Sequence, residues 1–429
     1  MNYKETIDYL FACAPLFQNI GKEAYKEGLE TSYILDEHFR HPHTLFKTIH
    51  VAGTNGKGSC SHTLAAILQQ AGYKVGLYTS PHLIDFRERI RINGEMISEE
   101  YVINFIEKEK DFFEPLHPSF FELTTALAFQ YFATQQVDVG VIEVGLGGRL
   151  DCTNLITPEI SIITNISFDH TQFLGNTLKA IAGEKAGIIK KKVPIIIGEA
   201  NVETRPVFLS KALEMEAPIT FAEDHPIVSA SFTNYLRGGR TYTSFLYGEI
   251  DGELGGLCQQ KNTNTLLTAI EVMKECGFRL TEECIRIGLA TVCEKTGLMG
   301  RWQKIKSSPN VICDTGHNIG GWIYISEQLK HQFCRQMHIV FGMVNDKDIT
   351  SVLKILPTDA IYYFTKANVK RALNENVIKK QANELGLKGE AYPTVEVAYE
   401  KALESAEKQD FIYVGGSSFV VADLLTFLH

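Results

Sequence analysis

The run Gly53-Thr54-Asn55-Gly56-Lys57-Gly58-Ser59 gathers glycines, a lysine and a hydroxyl within one turn's length of chain. Before it, the largely apolar, β-branched stretch from Leu45 to Val51 has the pattern of a strand. After it, Thr63, Leu64, Ala66, Ile67 and Leu68 recur at helical spacing. Strand, glycine turn and helix in that order direct backbone N–H groups and a helix N-terminus at one point, which favours a polyphosphate. Lys57 would neutralise β and γ phosphates there, and Ser59 would ligate magnesium. An extra glycine, Gly58, separates lysine from serine, so the string departs from the ordinary Walker A pattern. A glycine turn that merely joins two elements would not need the lysine and the serine as well.

Other residues acquire chemistry through their place relative to this loop. Glu143 closes a strand expected over Val137 to Val144, at the carboxyl end where open α/β sheets hold their ligands. His170 follows Asp169 beyond a strand expected over Ile160 to Thr164, and an oriented neutral imidazole is a competent metal ligand. Lys185 lies between Glu184 and the apolar pair Ile188 and Ile189, where partial burial would lower its pKa and free its amine to react. The bland alternatives are a solvated strand end, a capping histidine and a surface lysine paired with glutamates.

These residues need a scaffold that repeats the strand-to-helix alternation. Strands are also expected at Lys74 to Tyr78 and Val193 to Ile197, with helices at Glu99 to Phe112, Leu123 to Ala133 and Thr177 to Ile189. Such alternation predicts an α/β fold with a mostly parallel, doubly wound sheet. From Ala230 to Leu257, short Tyr/Thr/Phe-rich pieces broken by glycines suggest antiparallel strands at the margin of that sheet. Helices follow at Asn264 to Glu275 and Thr281 to Thr291. Strand and helix signals resume at Asn310 to Cys313, Trp322 to Phe333, His338 to Phe341, Ala360 to Phe364, Glu396 to Glu407 and Phe411 to Val414. Two domains are expected, 1–296 and a smaller 297–429, since 429 residues exceed what one core usually organises.

Hydrophobic residues at 45% and charged residues at 22% describe an ordinary globular chain. A net charge of −9 without a basic block argues against a nucleic-acid partner. With no apolar signal core and no stretch approaching the ~20 apolar residues of a membrane span, the expectation is a cytoplasmic protein without a membrane partner. Cys13, Cys60, Cys152, Cys258, Cys276, Cys284, Cys293, Cys313 and Cys334 form no C-x-x-C pair and are expected to be reduced thiols, mostly core filler.

The phosphate loop resembles that of the folate-ligase branch of the Mur ligase superfamily, the dihydrofolate synthase/folylpolyglutamate synthase family. The likeness continues through Thr79-Ser-Pro-His-Leu83, Phe86-Arg-Glu-Arg-Ile90, Glu143-Val-Gly-Leu-Gly-Gly-Arg-Leu-Asp151-Cys-Thr-Asn154, Asp169-His170, Gly183-Glu-Lys185-Ala-Gly187, Gly300-Arg301 and Asp314-Thr-Gly-His317-Asn318. Gly342 and Asp346-Lys347-Asp348 extend it further. The resemblance implies a large N-terminal P-loop ATPase-type domain and a smaller Rossmann-like C-terminal α/β domain, with ATP in the cleft between them. It implies an ATP-dependent acid–amino-acid ligase in which the γ-phosphate activates a carboxylate and an amino acid displaces phosphate. The substrates would be dihydropteroate or folate and L-glutamate, with one or both ligations performed by a monomer.

The same resemblance assigns roles to residues. Two magnesium ions are implied, held by Ser59, Glu143, His170 and a carbamylated Lys185. Asn262 would contact adenine, although Cys258 stands where the family usually has a histidine before the glutamine. Arg301 would reach the phosphates, and Asp314 and His317 would complete the nucleotide and amino-acid site. Gly316 and Ile319 replace the family's alanine and proline around His317, which bears on loop shape more than on chemistry. Ser80, Pro81, Phe86 and Arg87 lie in loops that would bind the pterin, where an aromatic beside an arginine suits a flat anionic ligand.

Two other functions compete. A peptidoglycan-type Mur ligase shares the chemistry, but the Gly-Lys-Gly-Ser loop, the Ser-Pro-His-Leu segment and the lack of a separate sugar-nucleotide domain ahead of Gly53 argue against it. A nucleotide-driven switch protein would hydrolyse ATP without needing folate or glutamate.

Overall fold

The strand ending at the phosphate loop, β1 (Lys47–Ala52), is buried at every residue after the first. A computed structural model of the chain, describing residues 1–13, 28–234 and 238–428, builds the fold around it. The following strands are β2 (Val75–Tyr78), β3 (Ile90–Ile92), β4 (Glu95–Met96), β5 (Val139–Glu143), β6 (Ile160–Ile163), β7 (Ile195–Ile197) and β8 (Ile219–Phe221). They form one sheet in the order β4-β3-β2-β5-β1-β6-β7-β8. All neighbours from β2 to β8 are parallel, and the hairpin of β3 and β4 adds two antiparallel strands at one edge.

Continuous Val/Ile runs suit strands covered on both faces. Val141 and Ile162 point into a core with Leu64 and Leu68 of helix Lys57–Gln70 and Ile270 and Met273 of helix Gln259–Glu275. Ile142, one residue on from Val141, faces the opposite side with Leu123, Phe129 and Phe132 of helix Phe120–Thr134. That helix starts with a capping box between Ser119 and Glu122.

The chain leaves β1 towards β2 on one side and leaves β6 towards β7 on the other. The gap between β1 and β6 is therefore the topological switch point, where parallel sheets leave a crevice for ligands.

The Tyr/Thr-rich strands β9 (Val228–Thr233), β10 (Arg240–Ser244) and β11 (Gly248–Gly252) are antiparallel, as expected, but they do not join the margin of the large sheet. They make a separate three-stranded sheet in the order β11-β10-β9. Its inner residues Val228, Tyr242 and Ile250 pack with Leu266 and Ile270, and Asn264 Oδ1 accepts from the amides of Ile227 and Val228 at 2.8 and 3.0 Å. Anchoring on a helix, rather than on an exposed strand edge, accounts for the difference. Residues 235–237 of the expected segment lie outside the described residues.

A further sheet contains β12 (Gln303–Ser307), β13 (Asn310–Asp314), β14 (Met337–Phe341), β15 (Ile361–Phe364), β16 (Lys388–Ala391) and β17 (Phe411–Gly415). Its order is β12-β13-β17-β14-β15-β16, parallel except at the β12 edge. Trp322, fully buried on helix Ile319–Lys330, fills its core beside Phe341 and Tyr413.

The chain divides into one unit of Met1–Glu253 with Gln259–Leu298 and a second of Leu254–Cys258 with Met299–His429. The short stretch groups with the second unit because Gln328 accepts from the Leu257 amide at 2.8 Å and donates to the Gly255 carbonyl at 2.9 Å. Among the described residues, no helix is long and apolar enough to cross a membrane. The eight described cysteines are free thiols; Cys60, Cys284 and Cys313 are buried, and Cys276 and Cys334 are partly buried and pack against the cores. The Cys13 side chain lies outside the described residues.

Candidate active site

Gly53 and Gly56 adopt φ of +146° and +83°, conformations that L side chains rarely take, and Gly56 caps the helix whose first turn holds Lys57, Gly58 and Ser59. A Cβ on Gly53 would strike the Thr164 side chain, and one on Gly56 would strike Asn262. The cradle is therefore a backbone surface from which side chains are excluded. We expect Gly56→Ala to lower stability by about 1–3 kcal/mol through strain and this clash, measured by urea unfolding.

The loop following β6 fixes the cradle across the switch point. Thr54 N donates to Asn165 O at 2.9 Å, and Asn55 N donates to Asn165 Oδ1 at 3.0 Å. Thr164 Oγ1 donates to Asn55 O at 2.6 Å, while Thr54 Oγ1 donates to Ser167 O at 3.1 Å and accepts from Ser167 N at 3.0 Å. Thr164 and Asn165 escaped sequence reasoning, although polar residues directly after the all-Ile/Ser β6 strand were a signal.

Two ammonium groups converge on a single carbonyl of this loop. Lys57 Nζ donates to Gly53 O at 3.0 Å and Thr54 O at 3.2 Å, and Lys185 Nζ donates to the same Gly53 O at 2.9 Å. Lys185 is 4% exposed. Burial, reinforced by the charge of Lys57 and partly opposed by Asp169 and Asp151, brings its amine down to about 7. Lys185 is held by the loop after β5. Arg149 N donates to Glu184 O at 2.7 Å, and a side chain on Gly148 would meet the Glu184 and Lys185 carbonyls at 2.8 and 3.0 Å.

Glu143 ends β5, next to β1, and is 3% exposed. Its Oε2 accepts from Ser80 N at 3.3 Å, which places Ser80 at the carboxylate corner. His170 has φ +47°, its amide donates to Asp169 Oδ1 at 2.8 Å, and its ring Nε2 lies 3.9 Å from the same oxygen. Because β5, β1 and β6 are neighbours, Glu143, the phosphate loop and the segment leading to His170 all leave the same edge of the sheet. Ser59 is buried in the first helical turn with its Oγ accepting from Gln259 Nε2 at 3.2 Å.

Phe86 and Arg87, expected to face a flat ligand, both make contacts within the fold. Phe86 is buried edge-on to Phe120 with ring centroids 5.8 Å apart. Arg87 makes two bonds to Asp85, at 3.0 and 2.9 Å, pairs with Glu99 at 3.3 Å and lies over the Tyr3 ring. The Asp85 carboxylate two residues away thus takes two of the guanidinium's donors. Pro81 is exposed, and the Ser80-Pro81 peptide is cis. The polar residue of this loop that sequence reasoning missed is Arg89, buried, donating to His82 Nδ1 at 2.7 Å.

Within the second unit, Asp314 ends β13 and accepts from Trp302 N at 2.7 Å and Gly316 N at 2.8 Å. Burial raises its pKa, and Arg301 acts against that rise. Arg301 Nη1 bonds Thr315 Oγ1, and His317 Nδ1 lies 3.1 Å from Thr315 O. Arg301, Asp314 and His317 thus share one loop cluster at the carboxyl end of β13. A Cβ on Gly316 would collide with Ile325, so the glycine here is matched by its neighbour.

A glycine cradle at the switch point, two converging lysines and a buried carboxylate define the first unit as a nucleoside-triphosphate-dependent α/β enzyme. Residues 51–270 match the Mur ligase middle domain, and residues 300–418 match the glutamate ligase domain of Mur ligases. The chain belongs to the Mur ligase family, in its dihydrofolate synthase/folylpolyglutamate synthase branch. It is 33% identical to the dihydrofolate synthase/folylpolyglutamate synthase of Bacillus subtilis (strain 168), over 94% of this chain and 95% of that protein. The structure of E. coli FolC in complex with DHPP and ADP superposes with a TM-score of 0.84 at 29% identity, covering 100% of this chain and 98% of the other. A bifunctional folylpolyglutamate synthase/dihydrofolate synthase with Mn, AMPPNP and L-glutamate bound gives 0.82 at 29%, covering 100% and 98%.

Proposed function

We propose that this chain, a cytoplasmic monomer, uses ATP to join L-glutamate to dihydropteroate, to the γ-carboxylate of (tetrahydro)folate, or to both. The observation that carries the phosphate site is the convergence of Lys57 and Lys185 on the Gly53 carbonyl inside a backbone cradle. An acceptor carboxylate oxygen attacks the γ-phosphorus and ADP leaves, giving an acyl phosphate. The glutamate amine then attacks the acyl carbon, phosphate departs, and the amine loses its proton. Both steps crowd negative charge, so cationic and N–H donors fixed beforehand lower the barrier. Lys57 and the backbone of Gly53, Gly56 and Gly58 hold the triphosphate, while the amides of Thr54 and Asn55, in the same cradle, are bonded to Asn165 and keep its shape.

The residues fit magnesium. Among the described residues, no three His, Cys, Asp or Glu side chains gather to hold a metal. Magnesium sites ordinarily combine one or two carboxylates with phosphate oxygens and water, and the buried Glu143 at the strand end meets that need. Ser59, Glu143 and His170 would hold the ion, joined by Lys185 when carbamylated. Bound magnesium supplies electrostatic stabilisation of the phosphoryl charge. Ser80, beside Glu143, belongs with this corner as much as with the folate loops. Asn262 serves the adenine, and Arg301, Asp314 and His317 serve the phosphates and the amino acid.

The names of the Bacillus subtilis relative and of the glutamate-bound structure support the substrate assignment. The test supplies ATP, magnesium and glutamate with dihydropteroate or tetrahydrofolate in separate tubes. Product mass one glutamate heavier, with phosphate release that requires both substrates, is the expected result. Phosphate release without them, or ligation of an amino acid to a UDP-linked muramoyl substrate, overturns the assignment.

A further inference from the structure

Ser59, Gln259 and Asn262 form a hydrogen-bonded series of buried side chains. Asn262 Nδ2 donates to Gln259 Oε1 at 2.9 Å, and Gln259 Nε2 donates to Ser59 Oγ at 3.2 Å. An amide has its acceptor and donor at opposite corners, so the bond from Asn262 decides which corner faces Ser59. Residues 259 and 262 are neighbours on one face of helix Gln259–Glu275, by i,i+3 spacing. Asn262 also closes on Gly56, so the series meets the phosphate loop at its turn and again in the first helical turn.

A lone hydroxyl rotates to suit whatever lies nearby. One that already accepts a bond from a fixed amide retains its own O–H and one lone pair in set directions. We propose that Gln259 is a positioning residue. Its amide, oriented by Asn262, fixes the Ser59 hydroxyl so that the remaining lone pair is preset for the divalent cation that accompanies a nucleoside triphosphate. This rests on the assignment of Ser59 to the cation in the proposed function.

The test is titration calorimetry of the full chain with a non-hydrolysable ATP analogue, with and without magnesium, on Gln259→Met, Ser59→Ala and the double variant. Methionine is close to glutamine in side-chain volume, and circular dichroism checks that each variant folds. Gln259→Met is expected to reduce the magnesium-dependent gain in affinity about five- to tenfold, the worth of one net hydrogen bond. Affinity without magnesium should stay within about twofold, and the double variant should bind no more weakly than Ser59→Ala, because the glutamine acts through the serine. A full magnesium gain in Gln259→Met, an equal loss with and without magnesium, or losses that add in the double variant overturns the role of Gln259. Lys57→Ala run in parallel separates the two levels: wild-type analogue affinity in that variant overturns the phosphate site itself, whatever Gln259 does.

Discussion

Lys57→Ala is expected to lower the kcat of ligation about 10³-fold while leaving the chain folded. Loss of one fixed donor from a charge-stabilising site typically costs about 10²–10³ in rate, and Lys57 brings a full charge as well, which places it at the upper end. The loop does not depend on this lysine for its shape. Gly53 and Gly56 set the turn, and Thr54 and Asn55 are bonded to Thr164, Asn165 and Ser167. What the variant loses structurally is two bonds to carbonyls at 3.0 and 3.2 Å, about 1 kcal/mol net and a few degrees in Tm. The Lys57 charge also depresses the Lys185 pKa, so the variant's Lys185 amine should titrate above its present value of about 7. Steady-state assays with saturating ATP, together with thermal unfolding, check both halves. Retained turnover would remove the phosphate site from the loop, and a collapsed Tm would show the lysine to be structural.

The strands nearest the chemistry were legible because they are buried on both faces. β1, β5 and β6 are nearly uninterrupted β-branched or apolar runs, and their ends coincide with polar residues. Helix Glu375–Glu384 and strand β12 were not foreseen. The helix has few apolar residues, and β12, Gln-Lys-Ile-Lys-Ser, is a largely solvated edge strand whose place depends on pairing with β13. Pairing across long sequence distances also hid the Gln259 bond to Ser59, which spans 200 residues and has no local pattern. Arg87 has a type and neighbours suited to a ligand, and its two bonds to Asp85, two residues away, are a further local feature that no pattern announced. Lys185 could be singled out by its apolar surroundings. Its bond to Gly53 requires the helix Leu178–Ala186 to pack on the loop after β5, a tertiary fact.

Replacing Lys185 with methionine should cost about 10²–10³ in kcat, the second large effect, and the cause is separable from charge. A neutral amine attacks the carbon of CO2 and loses a proton, giving a carbamate; a protonated amine has no lone pair for this. With the amine near 7, the neutral form dominates above that pH and disappears below it. Activity should therefore fall as pH drops below about 7 and return at pH about 8 faster with bicarbonate than in CO2-free buffer. Lys185→Arg, which stays protonated, should be as inactive as the methionine variant, and acetate or formate should restore part of the activity of Lys185→Ala by supplying a carboxylate. Stability follows the same titration. The folded pKa lies below the unfolded value of 10.5, so the unfolded chain binds more protons between about pH 7 and 10.5, and stability from this group rises with pH across that window. Urea unfolding of the wild-type chain and of Lys185→Met at pH 7, 8.5 and 10 isolates that slope. A parallel pair of lines would mean an unperturbed lysine, and full activity with an unmodified amine by intact mass would eliminate the carbamate.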